Sequence, residues 1–157
     1  MKVQSTLYQL LRKSASEYGH RNALLFKGKY ISYESLISKV DYLASGLDNY
    51  GLSKGDVITF AMPNVFEAVF GFYASSKLGL KCHMVHPITP VKQMARHMDE
   101  TQSHTLVIMD SFYDHYKPLL TNKNITIFLV NPMQEFGFFM KTIYKIINHK
   151  KRSSIHF

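Results

Sequence analysis

Tryptophan is absent and cysteine occurs once, at Cys82. A single thiol forms no bridge within the chain, which excludes the disulfide-stapled secreted folds. Cys82 lies among apolar residues in "LGLKCHMV", and that setting predicts a buried, inert thiol in a reducing compartment. No stretch approaches the roughly 18–20 apolar residues that span a bilayer. The opening "MKVQSTLYQLLRKSASEYG" has no continuous apolar run of the secretory kind. These absences lead to the expectation of a cytoplasmic protein.

The short catalytic signatures are missing too. There is no G-x-G-x-x-G, G-x-x-x-x-G-K-[ST], G-x-S-x-G or H-E-x-x-H. His83 and His86 stand three apart on a strand and its exit, so they point to opposite faces and make a poor metal pair. His20, His97, His104, His115, His149 and His156 are scattered and read as surface residues. Asp110, Ser111 and His115 are close in "DSFYDH", but a helix start capped by Asp110 or Ser111 is a simpler reading than a hydrolytic triad.

Acid is the scarce charge: 11 acidic against 19 basic side chains, a net +8. The terminal "KTIYKIINHKKRSSIHF" has none, while it carries Lys141, Lys145, Lys150, Lys151 and Arg152. Helical spacing puts Phe136, Phe139, Met140, Ile143, Tyr144 and Ile147 on one face of that segment. Such a basic amphipathic helix either lies on an anionic membrane or packs on its own domain with the lysines reaching water. No nucleic-acid-binding motif accompanies the charge, so nucleic acid is not the expected partner.

What is present suffices for a packed domain. A chain of 157 residues, 46% of them hydrophobic, can bury about 70% of its unfolded surface. Thr6 with Gln9 forms a capping-box pattern that opens a helix, with Leu7, Leu10, Leu11, Ala15 and Tyr18 on one face up to Gly19. Two apolar runs around Lys27-Gly28 predict a β-hairpin. Ser32 caps a second helix whose face is Leu36, Val40, Leu43 and Leu47, ended by Gly51.

From residue 52 onward strands and helices alternate. "VITFAM", Leu80 to Val85, "TLVIM" and "ITIFLV" read as buried strands. Between them run a helix capped by Asn64, with Val65, Ala68, Val69, Phe72 and Tyr73 apolar, and one capped by Thr89 with Pro90 in its first position. A short helical stretch near Ser111 to Leu120 separates the last two strands. The pattern predicts an α/β fold, a mainly parallel sheet with helices on both faces, preceded by a helix and a hairpin. The expected organisation is one subdomain, with residues 1–51 as helix, hairpin and helix, 52–131 as the alternating core and 132–157 as the basic tail.

The segment Ser32 to Pro90 resembles the N-terminal part of the adenylate-forming acyl-CoA synthetase superfamily. That family shows a T-Y-x-E-L helix start, then G-D-x-V, P-N-x-x-E, a G-A-V strand and an N-P-x-x-T-P-like loop. Ser32, Tyr33, Glu34 and Leu36 are similar to the first element; Gly55, Asp56, Pro63, Asn64 and Glu67 match the next in order and spacing. Gly79, Pro87, Thr89 and Pro90 continue the register, whereas Met84 and His86 depart from a usual proline and asparagine.

The resemblance implies ATP, Mg2+ and coenzyme A as cofactors of the parent enzyme, and a carboxylic acid, fatty by preference, as substrate. The phosphate loop, the acidic magnesium motif and the catalytic lysine of the family lie after the matched region, so no residue here is given a catalytic, cofactor-binding or metal-binding role. The matched residues are expected to build framework. The chain is accordingly read as an inactive segment whose partner is the remainder of the enzyme, with self-association through an uncovered sheet edge a further expectation. The other reading is a binding, regulatory or membrane-associating module derived from that fold.

Overall fold

The computed structural model describes residues 5–121 and 124–131, and the backbone of Lys145–Asn148 and Lys151–Ser154. In chain order the elements are α1 (Leu7–Tyr18), β1 (Asn22–Phe26), β2 (Lys29–Ser32), α2 (Tyr33–Asn49), β3 (Val57–Ala61), α3 (Phe66–Leu78), β4 (Lys81–Val85) and α4 (Val91–Thr101). They continue with β5 (Thr105–Met109), a 3-10 turn at Asp110–Phe112, α5 (Tyr113–Tyr116), a second 3-10 turn at Lys117–Thr121, β6 (Thr126–Val130), β7 (Lys145–Asn148) and β8 (Lys151–Ser154).

The chain packs as two compact units that interleave in sequence. Among the described residues, one runs up to Asp56 and resumes at Asn64–Lys81; the other holds Val57–Pro63 and those from Cys82 onward.

The first unit is three helices and a hairpin. α1 begins as its capping box predicts: Gln9 N–H donates to Thr6 Oγ1 at 3.2 Å and Thr6 N–H to Gln9 Oε1 at 2.8 Å. Its apolar face is thinner than its spacing suggests. Only Leu11 is buried, while Leu7 and Leu10 remain 47% and 51% exposed. α2 buries Leu36, Val40, Leu43 and Leu47 as expected.

α3 corrects two expectations. Its N-cap is Val65 with no side-chain cap bond, so Asn64 caps nothing; Ala68 N–H bonds Val65 O instead. Val65 and Ala68 are buried as expected, but Phe66, Phe70 and Ala74 are buried with them and Phe72 is exposed; Phe66 stacks on Phe70 and meets Phe26 edge-on at 5.8 Å. The helix is apolar nearly all round, and such a sequence leaves the choice of face to packing.

A polar cluster on Asp41 links the three helices. Tyr8 on α1 donates its hydroxyl to Asp41 Oδ1 on α2 at 2.7 Å, and Lys77 on α3 reaches the same oxygen at 2.8 Å. Burial, then the bond to Asp41, raises the Tyr8 hydroxyl pKa. Burial works against the Lys77 charge, but Asp41 and Tyr8 outweigh it and the ammonium pKa rises.

The second unit is a sheet of strand order β4-β3-β5-β6-β7-β8, with β4, β3, β5 and β6 parallel. Ile58 to Ala61 pair with Thr105 to Ile108, and Thr105 to Met109 with Thr126 to Val130. One face carries Ala61, Leu106, Ile108, Ile127 and Leu129. These pack on Met94 and Met98 of α4, on Tyr116, and on Leu119 and Leu120. Phe60, Val107 and Phe128 on the opposite face are buried as well.

β4 is an edge strand whose residues are exposed or half-buried, and not the buried strand its composition suggests. Cys82 is therefore half-buried rather than enclosed, its Sγ 3.4 Å from Met84 Sδ.

The basic tail also departs from expectation. Lys145, Lys151 and Arg152 lie in strands, with β7 antiparallel to β6 and β8 antiparallel to β7, so helical spacing does not group them. The β-branched pair Ile146-Ile147 suits that conformation. Lys141, Lys150 and the aromatic run Phe136 to Tyr144 lie outside the described residues. Among the described residues no helix is long and apolar enough to cross a membrane.

Candidate functional site

In an open parallel sheet, ligands sit beyond the carboxyl ends of the strands, where neighbouring connections leave in opposite directions. Here β3 connects to β4 on one side and β5 to β6 on the other, so that point lies between the exits of β3 and β5. β3 leaves through Met62-Pro63 and β5 through Asp110. Neither exit carries the glycine that phosphate-binding turns use.

The neighbouring exit of β4 is the loop His86 to Pro90, and it is held firmly. Thr89 donates N–H and hydroxyl bonds to His86 O at 3.0 and 2.8 Å. The Tyr116 hydroxyl reaches Pro87 O at 3.2 Å and Thr89 O at 3.0 Å, and His115 Nε2 reaches Thr89 O at 3.1 Å. Tyr116 is fully buried, and burial raises its pKa. Thr89 was expected to cap α4; it closes the loop instead, and Pro90 is the N-cap. Asp110 and Ser111 make no cap bond, since the 3-10 turn there starts from Met109. His115 is an anchor for the loop, a role its position in the sequence does not announce.

The other matched residues shape turns. Ser32 caps α2 through a bond from Ser35 N–H at 3.2 Å, and Tyr33 N–H bonds Arg21 O at 3.1 Å. Asp56 Oδ2 accepts from Ser53 N–H at 2.8 Å and from its hydroxyl at 3.1 Å. Gly55 (φ +100°) donates its N–H to Gly79 O at 3.0 Å. Gly79 closes α3 in the left-handed conformation at φ +71°, where a Cβ would also lie 3.0 Å from Lys54 Cγ. Glu67 stands in the first turn of α3, favourable to the helix dipole, and Pro63 and Asn64 join β3 to α3. Pro87 offers its carbonyl to Tyr116. Each of these placements orients backbone.

One buried polar cluster has no counterpart in the sequence reading. Ser103 Oγ donates toward Val57 O (3.2 Å) and Thr105 O (3.1 Å) and accepts the Thr59 hydroxyl at 2.8 Å. With its one proton used, Thr59 Oγ1 accepts from His83 Nδ1 at 3.2 Å. These constraints assign neutral His83 its proton on Nδ1. His97 of α4 packs edge-on against it, ring centroids 6.0 Å apart. His97 lies 3.2 Å from Gln93 Nε2 and 4.0 Å from Glu100 Oε2. Burial, then the neighbouring His97, lowers the His83 pKa. Both hydroxyl protons end on the protein, so neither oxygen is an activated nucleophile. No local signal in the sequence pairs residue 83 with 97.

Among the described residues no three His, Cys, Asp or Glu side chains gather as a metal set.

Comparison with known proteins finds relatives across most of the chain. The long-chain-fatty-acid–CoA ligase of Bacillus subtilis is 22% identical over 152 residues, 97% of this chain and 27% of that protein. The 4-coumarate–CoA ligase 1 of Petroselinum crispum is 24% identical over 76% of this chain and 22% of its own length. The chain thus spans about a quarter of these curated relatives. Among solved structures, a benzoate CoA ligase from Burkholderia xenovorans superposes with TM-score 0.76 at 11% identity, over 83% of this chain and 27% of that one. A model of the AMP-binding enzyme family matches residues 11–135, and the chain belongs to that family.

Proposed function

We propose that this chain is the amino-terminal framework of an acid-activating ligase acting on long-chain fatty acids. The observation that carries the reading is the family match across residues 11–135. The similarity to the Bacillus fatty-acid ligase over nearly the whole chain supports the substrate class. In the full reaction a carboxylate oxygen attacks the α-phosphorus of ATP and pyrophosphate leaves. The thiol of coenzyme A then attacks the acyl carbonyl carbon and AMP leaves.

ATP, Mg2+ and coenzyme A belong to the longer enzyme on this reading. Among the described residues no metal-ligating set of three His, Cys, Asp or Glu side chains gathers, and no step is assigned to a side chain here. What the chain contributes is the sheet and its pinned strand exits, against which the reactive parts are set. The remainder of the enzyme is its partner.

Pyrophosphate release tests the reading. The 157-residue chain with ATP, Mg2+ and palmitate should release none above the blank. A longer polypeptide joining this chain to the rest of the ligase should release it, with palmitate preferred to acetate and benzoate. Robust release by the chain alone would overturn the framework role; a preference for benzoate would overturn the substrate class.

A further inference from the structure

Two imidazoles meet between β4 and α4. The rings of His83 and His97 stand 6.0 Å apart, centroid to centroid, at 68°. Each keeps its Nδ1 side towards an oxygen. His83 Nδ1–H goes to Thr59 Oγ1 at 3.2 Å, and that hydroxyl is itself committed to Ser103 at 2.8 Å. The Gln93 amide donates to His97 Nε2 at 3.2 Å, which leaves the His97 proton on Nδ1, 4.0 Å from Glu100 Oε2. Both rings thus carry a lone pair on Nε2. Histidine binds metals in this form, and an oxygen holding the other N–H fixes the ring and strengthens the ligand.

We propose that His83 Nε2 and His97 Nε2 together hold a divalent transition-metal ion of the zinc class, with Gln93 Oε1 as third ligand and water completing the tetrahedron. Two imidazoles bound to one ion at about 2.0–2.1 Å have ring centroids roughly 5–6 Å apart, and the observed spacing lies at the wide end of that range. Gln93 precedes His97 by one helical turn, and turning its amide over brings Oε1 to the side where its nitrogen now meets the ring. Both rings are half-buried, so an ion reaches them from solvent. The imidazole pair sets the class of metal, since Mg2+ and Ca2+ prefer oxygen ligands and Cu(I) prefers sulfur. Cys82 and Met84 alternate to the other face of β4 and take no part. The ion would serve as a staple: it ties an edge strand, paired on one side only, to the helix beside it. This site does not depend on the ligase reading.

The test titrates Zn2+ into the 157-residue chain, stripped of metal beforehand, in competition with a chromophoric zinc chelator. One ion should bind ahead of any others. At about a hundredfold over its dissociation constant it should raise the melting temperature by about 5–10 °C, and Mg2+ at the same concentration should not. His97→Gln and His83→Gln should each weaken that binding at least about tenfold. His149→Gln with His156→Gln, in the tail, should leave it unchanged. Should His83→Gln disturb the Thr59–Ser103 contacts, long-range proton–nitrogen NMR spectra of the unaltered chain give the reading. There Zn2+ should shift Nε2 of His83 and of His97 together, with Nδ1 of both still protonated.

No zinc binding, or an affinity untouched by His97→Gln, would overturn the proposal. So would binding lost in the tail variant, a shift confined to one of the two rings, or an equal response to Mg2+.

Discussion

Two effects favour the neutral form of His83: burial disfavours its charge first, and His97 would repel it, while its Nδ1–H stays on Thr59. Its folded pKa therefore lies below the unfolded value of about 6.5. The unfolded chain takes up the proton first, so the stability this site supplies is complete above about pH 6.5. It declines as pH falls from there towards the lower folded value, then levels off. Melting temperature followed from pH 8 to pH 5 should show that decline, and His83→Gln should flatten it. An unchanged profile in the variant would place the acid sensitivity elsewhere, and the charged neighbours Glu100 and Arg96, paired at 3.5 Å, are the first to consider.

Among elements, the loop between β4 and α4 depends on a helix distant in sequence. Tyr116, at the end of the single-turn α5, holds the carbonyls of Pro87 and Thr89 from inside the core. Tyr116→Phe keeps the ring and removes the hydroxyl, leaving those two acceptors short of a donor. The expected cost is about 1–3 kcal/mol by urea denaturation, with faster amide exchange around His86 to Val91. A cost near zero would mean that water replaces the hydroxyl, and that His115 alone fixes the loop. The same element explains why Thr89 is not a cap. Its hydroxyl is already used within the loop, and Pro90 begins α4 with no N–H to satisfy.

At the scale of the whole molecule, the sheet unit is held by apolar packing on both faces of the sheet rather than by charge. Met98 of α4 is buried against the face that carries Leu106 and Ile108. Met98→Ala should cost roughly 2–5 kcal/mol of unfolding free energy, read from the urea midpoint. A loss below about 1 kcal/mol would mean that α4 is not part of the cooperative core. Salt should matter little by comparison, because the i,i+4 ion pairs Lys13–Glu17 and Arg96–Glu100 lie on exposed side chains.

Features that depend on near neighbours were legible in the chain itself. The Thr6–Gln9 box, the Leu36-Val40-Leu43-Leu47 stripe, the Lys27-Gly28 turn with both residues at positive φ, and the apolar strands β3, β5 and β6 needed only residues a few positions apart. The ordered run from Ser32 to Pro90 carried the family in the same way. Strand order, by contrast, decided that β4 is an edge and Cys82 only half-buried, because an apolar run reads alike at the centre or the margin of a sheet. Packing chose Phe66 over Phe72, paired β7 with β6, brought His97 to His83 and left Leu25 and Tyr30 uncovered. Those outcomes rest on contacts between segments far apart along the chain, and local periodicity holds no record of which distant surface a residue will meet.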